Sequence, residues 1–239
     1  MRIILAGLVA ASLVGNVIAL AVATKFVMDR GGLVYLKARA GLIEPPPAVP
    51  HDDKIATLDL LPDPEDEVIF VGDSLTAGFH WAEYFPQLTV QNHGIGGNRV
   101  SDVAARLDRI IERSPSAIYL NIGTNDIGDR RSPSAVAAGI EELLDRIESG
   151  LSGTRVVLQS VPPRVGVSFN PAIVELNGLL AGVAARRGHE WLDFHASLLG
   201  ADGQIGSEFH TDGVHLTAAA YDIWARAVAE TLPGGTSEP

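Results

Sequence analysis

The 239-residue sequence contains no cysteine. This excludes disulfide bonds, thiolate metal sites and a cysteine nucleophile. Positive charge is also scarce, with 18 Lys and Arg residues against 29 Asp and Glu residues and a net charge of −11 at pH 7. A nucleic-acid surface needs clustered positive charge, so this balance argues against a nucleic-acid partner. Hydrophobic residues, at 46%, are sufficient for one sizeable domain with its own core.

The N-terminal segment has no charged residue from Ile3 to Ala23. A helix of this length can cross a hydrocarbon core of about 30 Å. We therefore predict that residues 1–30 form an N-terminal hydrophobic helix that anchors the chain in a membrane. Ala21-Val22-Ala23 also fits a signal-peptide cleavage site, which would give a secreted protein. The basic residues that follow the run, such as Lys25 and Arg30, favour a cytoplasmic C-terminal domain by the positive-inside rule.

Residues 31–66 are predicted to be a connector. The segment Glu44–Pro50 contains four prolines, a composition that favours extended polyproline geometry and a stiff spacer. The folded domain is expected over residues 67–233, and residues 234–239 are expected to form a flexible tail.

Within that domain, short apolar runs alternate with helical patterns. The runs predict five strands, at residues 68–71, 88–91, 117–120, 155–158 and 191–194. Ser132 followed by Pro133 predicts a helix start, and Thr217 predicts the cap of the last helix. Alternating strands and helices imply a five-stranded parallel sheet covered on both faces, a three-layer α/β/α sandwich. Ligands of such sheets bind beyond the carboxyl ends of the strands, so functional residues should directly follow strands.

The first strand is followed by Gly72-Asp73-Ser74-Leu75. A serine on a tight strand-to-helix turn exposes its hydroxyl and can act as a nucleophile. Taken alone, the same residues also fit a turn glycine with a serine N-cap.

Two further segments follow the second and third predicted strands. His93-Gly94-Ile95-Gly96-Gly97-Asn98 lets backbone approach a ligand closely, but it lacks the third glycine of a dinucleotide fingerprint because Arg99 stands there. Gly123-Thr124-Asn125-Asp126 places the side-chain amide of Asn125 at a strand end. Each segment alone could be a plain turn.

The last segment, Asp212-Gly213-Val214-His215-Leu216-Thr217, precedes the final helix. His215 can accept a proton from a serine hydroxyl, and Asp212 can orient its ring. A surface turn and a metal site built from His210, Asp212 and His215 are the alternatives. Together the four segments supply a nucleophile, a base, an orienting carboxylate and oxyanion donors.

These four segments, in this order, resemble the SGNH (GDSL-type) hydrolases, and their spacing is most similar to the platelet-activating-factor acetylhydrolase subunit type. The resemblance covers about residues 68–231. It implies a flavodoxin-like sheet, no cofactor and no metal. It also implies Ser74, Asp212 and His215 as the catalytic residues, with Ser74, Gly97 and Asn125 forming the oxyanion hole. Asn98 differs, because relatives often carry aspartate there.

The resemblance implies a serine ester hydrolase that removes short, acetyl-like groups from a small-molecule or glycan ester. Alternatives are a lysophospholipase or thioesterase for longer acyl chains, a polysaccharide O-acetyltransferase and, last, a non-catalytic binding module. A hydrophobic N-terminus ahead of a hydrolase domain is the usual export arrangement. We therefore expect the catalytic domain outside the cytoplasm, despite the basic residues after the apolar run.

Overall fold

The computed structural model describes residues 51–166 and 168–232, and seven residues near the N-terminus (12, 15, 16, 20–22 and 24). The domain from residue 51 onward contains, in chain order, α1 (His51–Asp59), β1 (Val68–Gly72), α2 (Ser74–Ala77), α3 (Trp81–Tyr84), β2 (Val90–Gly94), α4 (Val100–Glu112), β3 (Ala117–Asn121), α5 (Thr124–Gly128), α6 (Pro133–Gly150), β4 (Arg155–Gln159), α7 (Asn170–Arg187), β5 (Glu190–Leu192), a 3₁₀ turn (Ala196–Leu198) and α8 (Ala218–Thr231).

The five strands form one parallel sheet in the order β2-β1-β3-β4-β5. Successive residues of a strand point to opposite faces, and each face has its own core. Ile69 and Val71 of β1 pack with α4, α6 and α7 on one face. Val68 and Phe70 pack with α2, α3 and α8 on the other. This confirms the predicted three-layer α/β/α sandwich with a five-stranded parallel sheet.

β1, β3 and β4 each extend one residue beyond the predicted end, and the other two strands are displaced. The second strand covers 90–94 instead of 88–91, in register with β1 from the pair Val68 and Val90 to the pair Gly72 and Gly94. An edge strand tolerates polar residues that find partners, and Asn92 donates to the carbonyl oxygens of Thr76 and Phe79. The fifth strand covers 190–192 instead of 191–194, because the chain bends where the backbone N–H of Phe194 binds Ser160 Oγ.

The predicted start of α6 is confirmed, with Ser132 as the N-cap and Pro133 in the first turn. Ser132 Oγ accepts a hydrogen bond from Ala135 N at 3.3 Å. Thr217 is the N-cap residue of α8, but its hydroxyl donates to the Glu208 carbonyl instead of capping the helix.

The predicted connector of residues 31–66 contains a helix, α1, near its C-terminal end. Leu58 of α1 is buried, and Asp59 forms an ion pair with Arg109 of α4. The predicted anchor of residues 1–30 lies almost wholly outside the described residues, and the predicted tail of 234–239 lies outside them entirely. Within the part of the chain that the structure describes, no helix has the length and apolar character needed to cross a membrane.

Candidate active site

Ser74 lies at the carboxyl end of β1, on a turn that leaves little space. A Cβ atom added to Gly72 would lie 2.3 Å from the carbonyl oxygen of Asn121 in the neighbouring strand, so only glycine fits there. The next residue, Asp73, is the N-cap of α2 and accepts a hydrogen bond from Leu75 N at 2.9 Å. Ser74 is therefore the first helical residue instead of the cap, and it is half-buried.

The carboxyl group of Asp73 is completely buried beside Ser74. Burial raises the pKa of Asp73 to about 7, although the hydrogen bond from Leu75 N and the nearby His215 lower it. Its second oxygen, Oδ2, has no hydrogen-bond partner among the described residues. The carboxyl group can therefore hold a proton near neutral pH.

Asp212 and His215 are brought together by the loop before α8. Asp212 Oδ1 accepts hydrogen bonds from the backbone N–H groups of Val214 at 3.0 Å and His215 at 2.9 Å. Asp212 Oδ2 lies 2.7 Å from His215 Nδ1. Partial burial raises the pKa of Asp212, but the hydrogen bonds from His215 and Val214 outweigh this effect and lower it to about 2. Asp212 is thus ionised at neutral pH and orients the His215 ring.

The other ring nitrogen of His215 faces the serine. His215 Nε2 lies 3.1 Å from Ser74 Oγ, although 141 positions separate the two residues in sequence. A proton on Nδ1 satisfies the carboxylate of Asp212 and leaves Nε2 free to accept the hydroxyl proton. The side chains of His215 and Asp212 are 51% and 56% exposed, so a substrate can reach the site directly from solvent.

The predicted oxyanion donors lie on the loops after β2 and within α5, beyond the same end of the sheet. A Cβ atom added to Gly96 would lie 3.9 Å from Ser74 Cβ, so the glycine pair passes close to the serine. Gly97 has a φ of +79°, a conformation that favours glycine. Asn125 Nδ2 donates to the carbonyl oxygen of Asn98 at 2.9 Å, which fixes the amide while its second N–H remains for a ligand.

A buried polar network that the sequence did not reveal supports the glycine loop. Arg106 donates to Asn98 Oδ1 at 3.1 Å and to the carbonyl oxygen of His93 at 2.8 Å. Asp126 accepts a hydrogen bond from Val100 N at 3.1 Å. In sequence these residues look like helix-surface and turn residues, since Arg106 lies within an amphipathic helix and Asp126 follows a strand.

The alternative metal site does not assemble. His210 Nδ1 accepts a hydrogen bond from Gly213 N at 2.9 Å, whereas Asp212 pairs with His215. Within the described ranges, no three His, Asp or Glu side chains are grouped as metal ligands.

The aromatic residues after Ser74 serve packing. Trp81 and Phe85 are buried, and Trp81 stacks on Phe70 with ring centres 4.1 Å apart. Phe79 is only partly buried, and it stacks on Tyr221 of α8. These rings fix the short helices that follow the serine.

A parallel α/β sheet with a serine, a histidine and a carboxylate hydrogen-bonded in series at its carboxyl edge is the arrangement of serine hydrolases. The chain belongs to the GDSL-like lipase/acylhydrolase family, whose model matches residues 70–223. It is thus a hydrolase of ester-cleaving type, and the predicted resemblance is confirmed.

Among curated proteins, the chain is 31% identical over 182 residues to platelet-activating factor acetylhydrolase IB subunit alpha1 from Homo sapiens, covering 71% of this chain and 77% of the relative. The alpha2 subunit from Mus musculus is 29% identical over 169 residues, covering 66% and 72%.

Among solved structures, a GDSL-like lipase from Bacteroides thetaiotaomicron superposes with a TM-score of 0.66 at 22% identity, covering 74% of this chain and 95% of the other. An acetylxylan esterase from Geobacillus stearothermophilus, crystallised as a catalytic mutant, superposes with a TM-score of 0.60 at 17% identity, covering 73% and 98%. At these identities the superpositions show a shared fold.

Proposed function

We propose that this protein removes short acyl groups from esters through an acyl-enzyme formed on Ser74. The observation that carries the proposal is the continuous series of contacts from Asp212 Oδ2 through the His215 ring to Ser74 Oγ, at 2.7 and 3.1 Å. These three residues come from two distant segments, and a structural role would not require all three in this order.

In the first half of the reaction, His215 Nε2 takes the proton of the Ser74 hydroxyl while Oγ attacks the ester carbonyl carbon. Asp212 holds the ring in the required tautomer and stabilises the imidazolium that forms. The negative charge on the tetrahedral oxygen is held by the backbone N–H groups of Ser74 and Gly97 and by the Asn125 amide. The imidazolium then gives its proton to the leaving alcohol as the carbon–oxygen bond breaks.

In the second half, a water molecule replaces the alcohol. His215 takes a proton from this water, and the resulting hydroxide attacks the acyl carbonyl carbon. The tetrahedral species collapses, Ser74 Oγ recovers the proton from His215, and the free acid leaves. The same oxyanion donors act in both halves, as the principle of microscopic reversibility requires.

A preference for acetyl-like groups rests on the relatives. The proteins about 30% identical to this chain are named platelet-activating factor acetylhydrolase subunits, which points to a small acyl group. The exposure of His215 and Asp212 supports a bulky alcohol part, because an open site does not have to enclose it. An acetyl ester of a lipid or a glycan fits both observations.

We also propose that the segment Ile3–Ala23 anchors the protein in a membrane, with the catalytic domain outside the cytoplasm. The length of the uncharged run supports the anchor. Sequencing the N-terminus of the mature protein tests the anchor. A mature chain that begins after Ala23 would show that the segment is a cleaved signal peptide and not an anchor.

The test of substrate class is a panel of para-nitrophenyl esters of increasing acyl length, assayed on the full chain with Ser74→Ala as control. We expect kcat/KM to fall steeply beyond acetate or propionate. A rise with chain length would instead indicate a lysophospholipase or thioesterase. If an added oligosaccharide becomes acetylated faster than acetate is released, the protein is a transferase.

A further inference from the structure

Two arginines beside the site share one phenylalanine ring. The guanidinium carbon of Arg130 lies 4.3 Å from the centre of the Phe169 ring, and that of Arg164 lies 4.5 Å from it. Each contact is favourable because the ring face attracts a cation. The two positive charges nevertheless repel each other, and this arrangement concentrates positive charge on a protein whose net charge is −11.

Among the described residues, neither arginine forms an ion pair with a carboxylate. Every other arginine in the described residues forms an ion pair with Asp or Glu, apart from Arg106, which is buried and bonded to Asn98 and to backbone carbonyls. Within the same residues, Arg130 makes no side-chain hydrogen bond, and the Nε of Arg164 is buried without a partner. Burial lowers the pKa of Arg164 and the charge of Arg130 lowers it further, although the charge of Asp212 raises it in part. A buried donor without a partner is uncommon and calls for an explanation.

Arg164 is held in place by its surroundings. Asn170 clamps its backbone, accepting from Arg164 N at 3.0 Å and donating to Arg164 O at 2.8 Å. The Arg164 side chain donates to the carbonyl oxygen of Thr124 at 3.2 Å. Because these contacts already order the long Arg164 side chain in the folded protein, ligand binding would cost little further conformational entropy.

This position borders the active site on two sides. Thr124 directly precedes Asn125, the predicted oxyanion donor. On the other side, Val165 N donates to the carbonyl oxygen of Gly213 at 2.8 Å, within the loop that carries Asp212 and His215. Arg164 thus lies between the loop of the asparagine and the loop of the catalytic histidine.

We propose that Arg130 and Arg164 form an anion-binding subsite that selects esters carrying a phosphate or carboxylate group away from the scissile bond. A guanidinium group offers a planar set of donors that matches such oxyanions. The charge of Arg130 acts on Arg164, so both arginines contribute to the positive field beside Phe169. The Nη2 group of Arg164 supplies direct hydrogen bonds, since Nε is buried and Nη1 donates to Thr124, while the more exposed Arg130 adds charge at the entrance. This inference rests on the proposed function, since it names the substrate class of the same site.

The test compares matched anionic and neutral esters on the full chain. One pair places the charge in the acyl part, para-nitrophenyl hemiglutarate against para-nitrophenyl valerate. The other places it in the alcohol part, para-(acetoxymethyl)benzoate against its benzamide. For at least one pair, we expect the ratio of kcat/KM for the anionic ester to that for the neutral ester to fall about tenfold in Arg130→Gln and in Arg164→Gln.

The matched control is Arg226→Gln, which makes the same change in net charge at an exposed arginine paired with Asp222 on α8. Its ratio should equal that of the wild type. Thermal melting checks that Arg164→Gln is folded. If Arg164→Gln does not fold, Arg130→Gln alone decides the test, because Arg130 is exposed and its substitution should leave the fold intact. An unchanged ratio in Arg130→Gln for both ester pairs overturns the subsite. If instead the wild type hydrolyses no neutral ester, or Ser74→Ala hydrolyses it equally well, the proposed function itself fails.

Discussion

Replacing Asp212 by asparagine keeps the shape of the side chain but removes the charge and the acceptor atom that orient the His215 ring. The asparagine oxygen can keep both hydrogen bonds from the backbone N–H groups of Val214 and His215, so the loop should retain its conformation. The new NH₂ group, however, faces His215 Nδ1 where Oδ2 lies now at 2.7 Å. A donor at this position forces the ring proton onto Nε2, the nitrogen that must accept the Ser74 proton.

The expected decrease in kcat can be estimated from the solvent exposure of Asp212 and His215. In serine proteases with a buried aspartate, the same substitution lowers kcat about 10⁴-fold. Here Asp212 and His215 are more than half exposed, so water screens the ion pair and allows the ring to change tautomer. We therefore expect kcat for para-nitrophenyl acetate to fall about 10²- to 10³-fold, with KM changed little because no ground-state contact is lost.

The assay is steady-state hydrolysis at mildly alkaline pH. The control is Asp222→Asn, which removes one exposed carboxylate on α8 and should retain wild-type kcat. Circular dichroism of both variants checks the fold. A loss in Asp212→Asn smaller than about threefold would mean that His215 is not oriented by this carboxylate, and the reasoning would be refuted.

Three further outcomes follow from other parts of the structure. Asn125→Ala should lower kcat about 10²-fold with little change in the melting temperature, because it removes one oxyanion donor; an unchanged kcat would exclude that role. Burial raises the pKa of Asp73 from an ordinary value of 3.8 to about 7, so the folded state keeps a proton that the unfolded chain loses. The free energy of unfolding should therefore decline between about pH 4 and 7 by up to about 4 kcal/mol more in the wild type than in Asp73→Asn, as urea titrations at several pH values can measure. Trp224→Ala should cost about 3–5 kcal/mol of unfolding free energy in the same assay, because the side chain is fully buried, stacks on Phe194 and donates to Gln159; a cost below about 1 kcal/mol would contradict this packing.

The sheet was predictable because its strands are short apolar runs separated by helical patterns. Hydrophobicity alone did not predict the bounds of the strands at the edges of the sheet. In β2, Gln91 and Asn92 are polar but pair in register with β1, since an edge strand needs fewer apolar residues than a central one. In α7, Leu179 lies at helical spacing from the buried Leu176 and Val183, yet it is 38% exposed. Local patterns do not reveal which side of a helix meets a neighbour.

The candidate site was predictable because its residues directly follow strands or precede a helix. The contact between Ser74 and His215 required the fold, because it joins residues at opposite ends of the domain. The sequence carried no signal for Arg130 and Arg164. Both contact the ring of Phe169 and neither forms an ion pair with a carboxylate among the residues that the structure describes, and these are properties of the folded chain.

The central claim is that Ser74 is the nucleophile, and covalent labelling tests it most directly. The full chain is treated with a fluorophosphonate, and the modified residue is located by mass spectrometry of peptides. We expect one adduct, on Ser74, with no labelling of Ser74→Ala and strongly slowed labelling of His215→Ala. An adduct on another residue, or a Ser74→Ala protein that still hydrolyses para-nitrophenyl acetate at the wild-type rate, would contradict the claim.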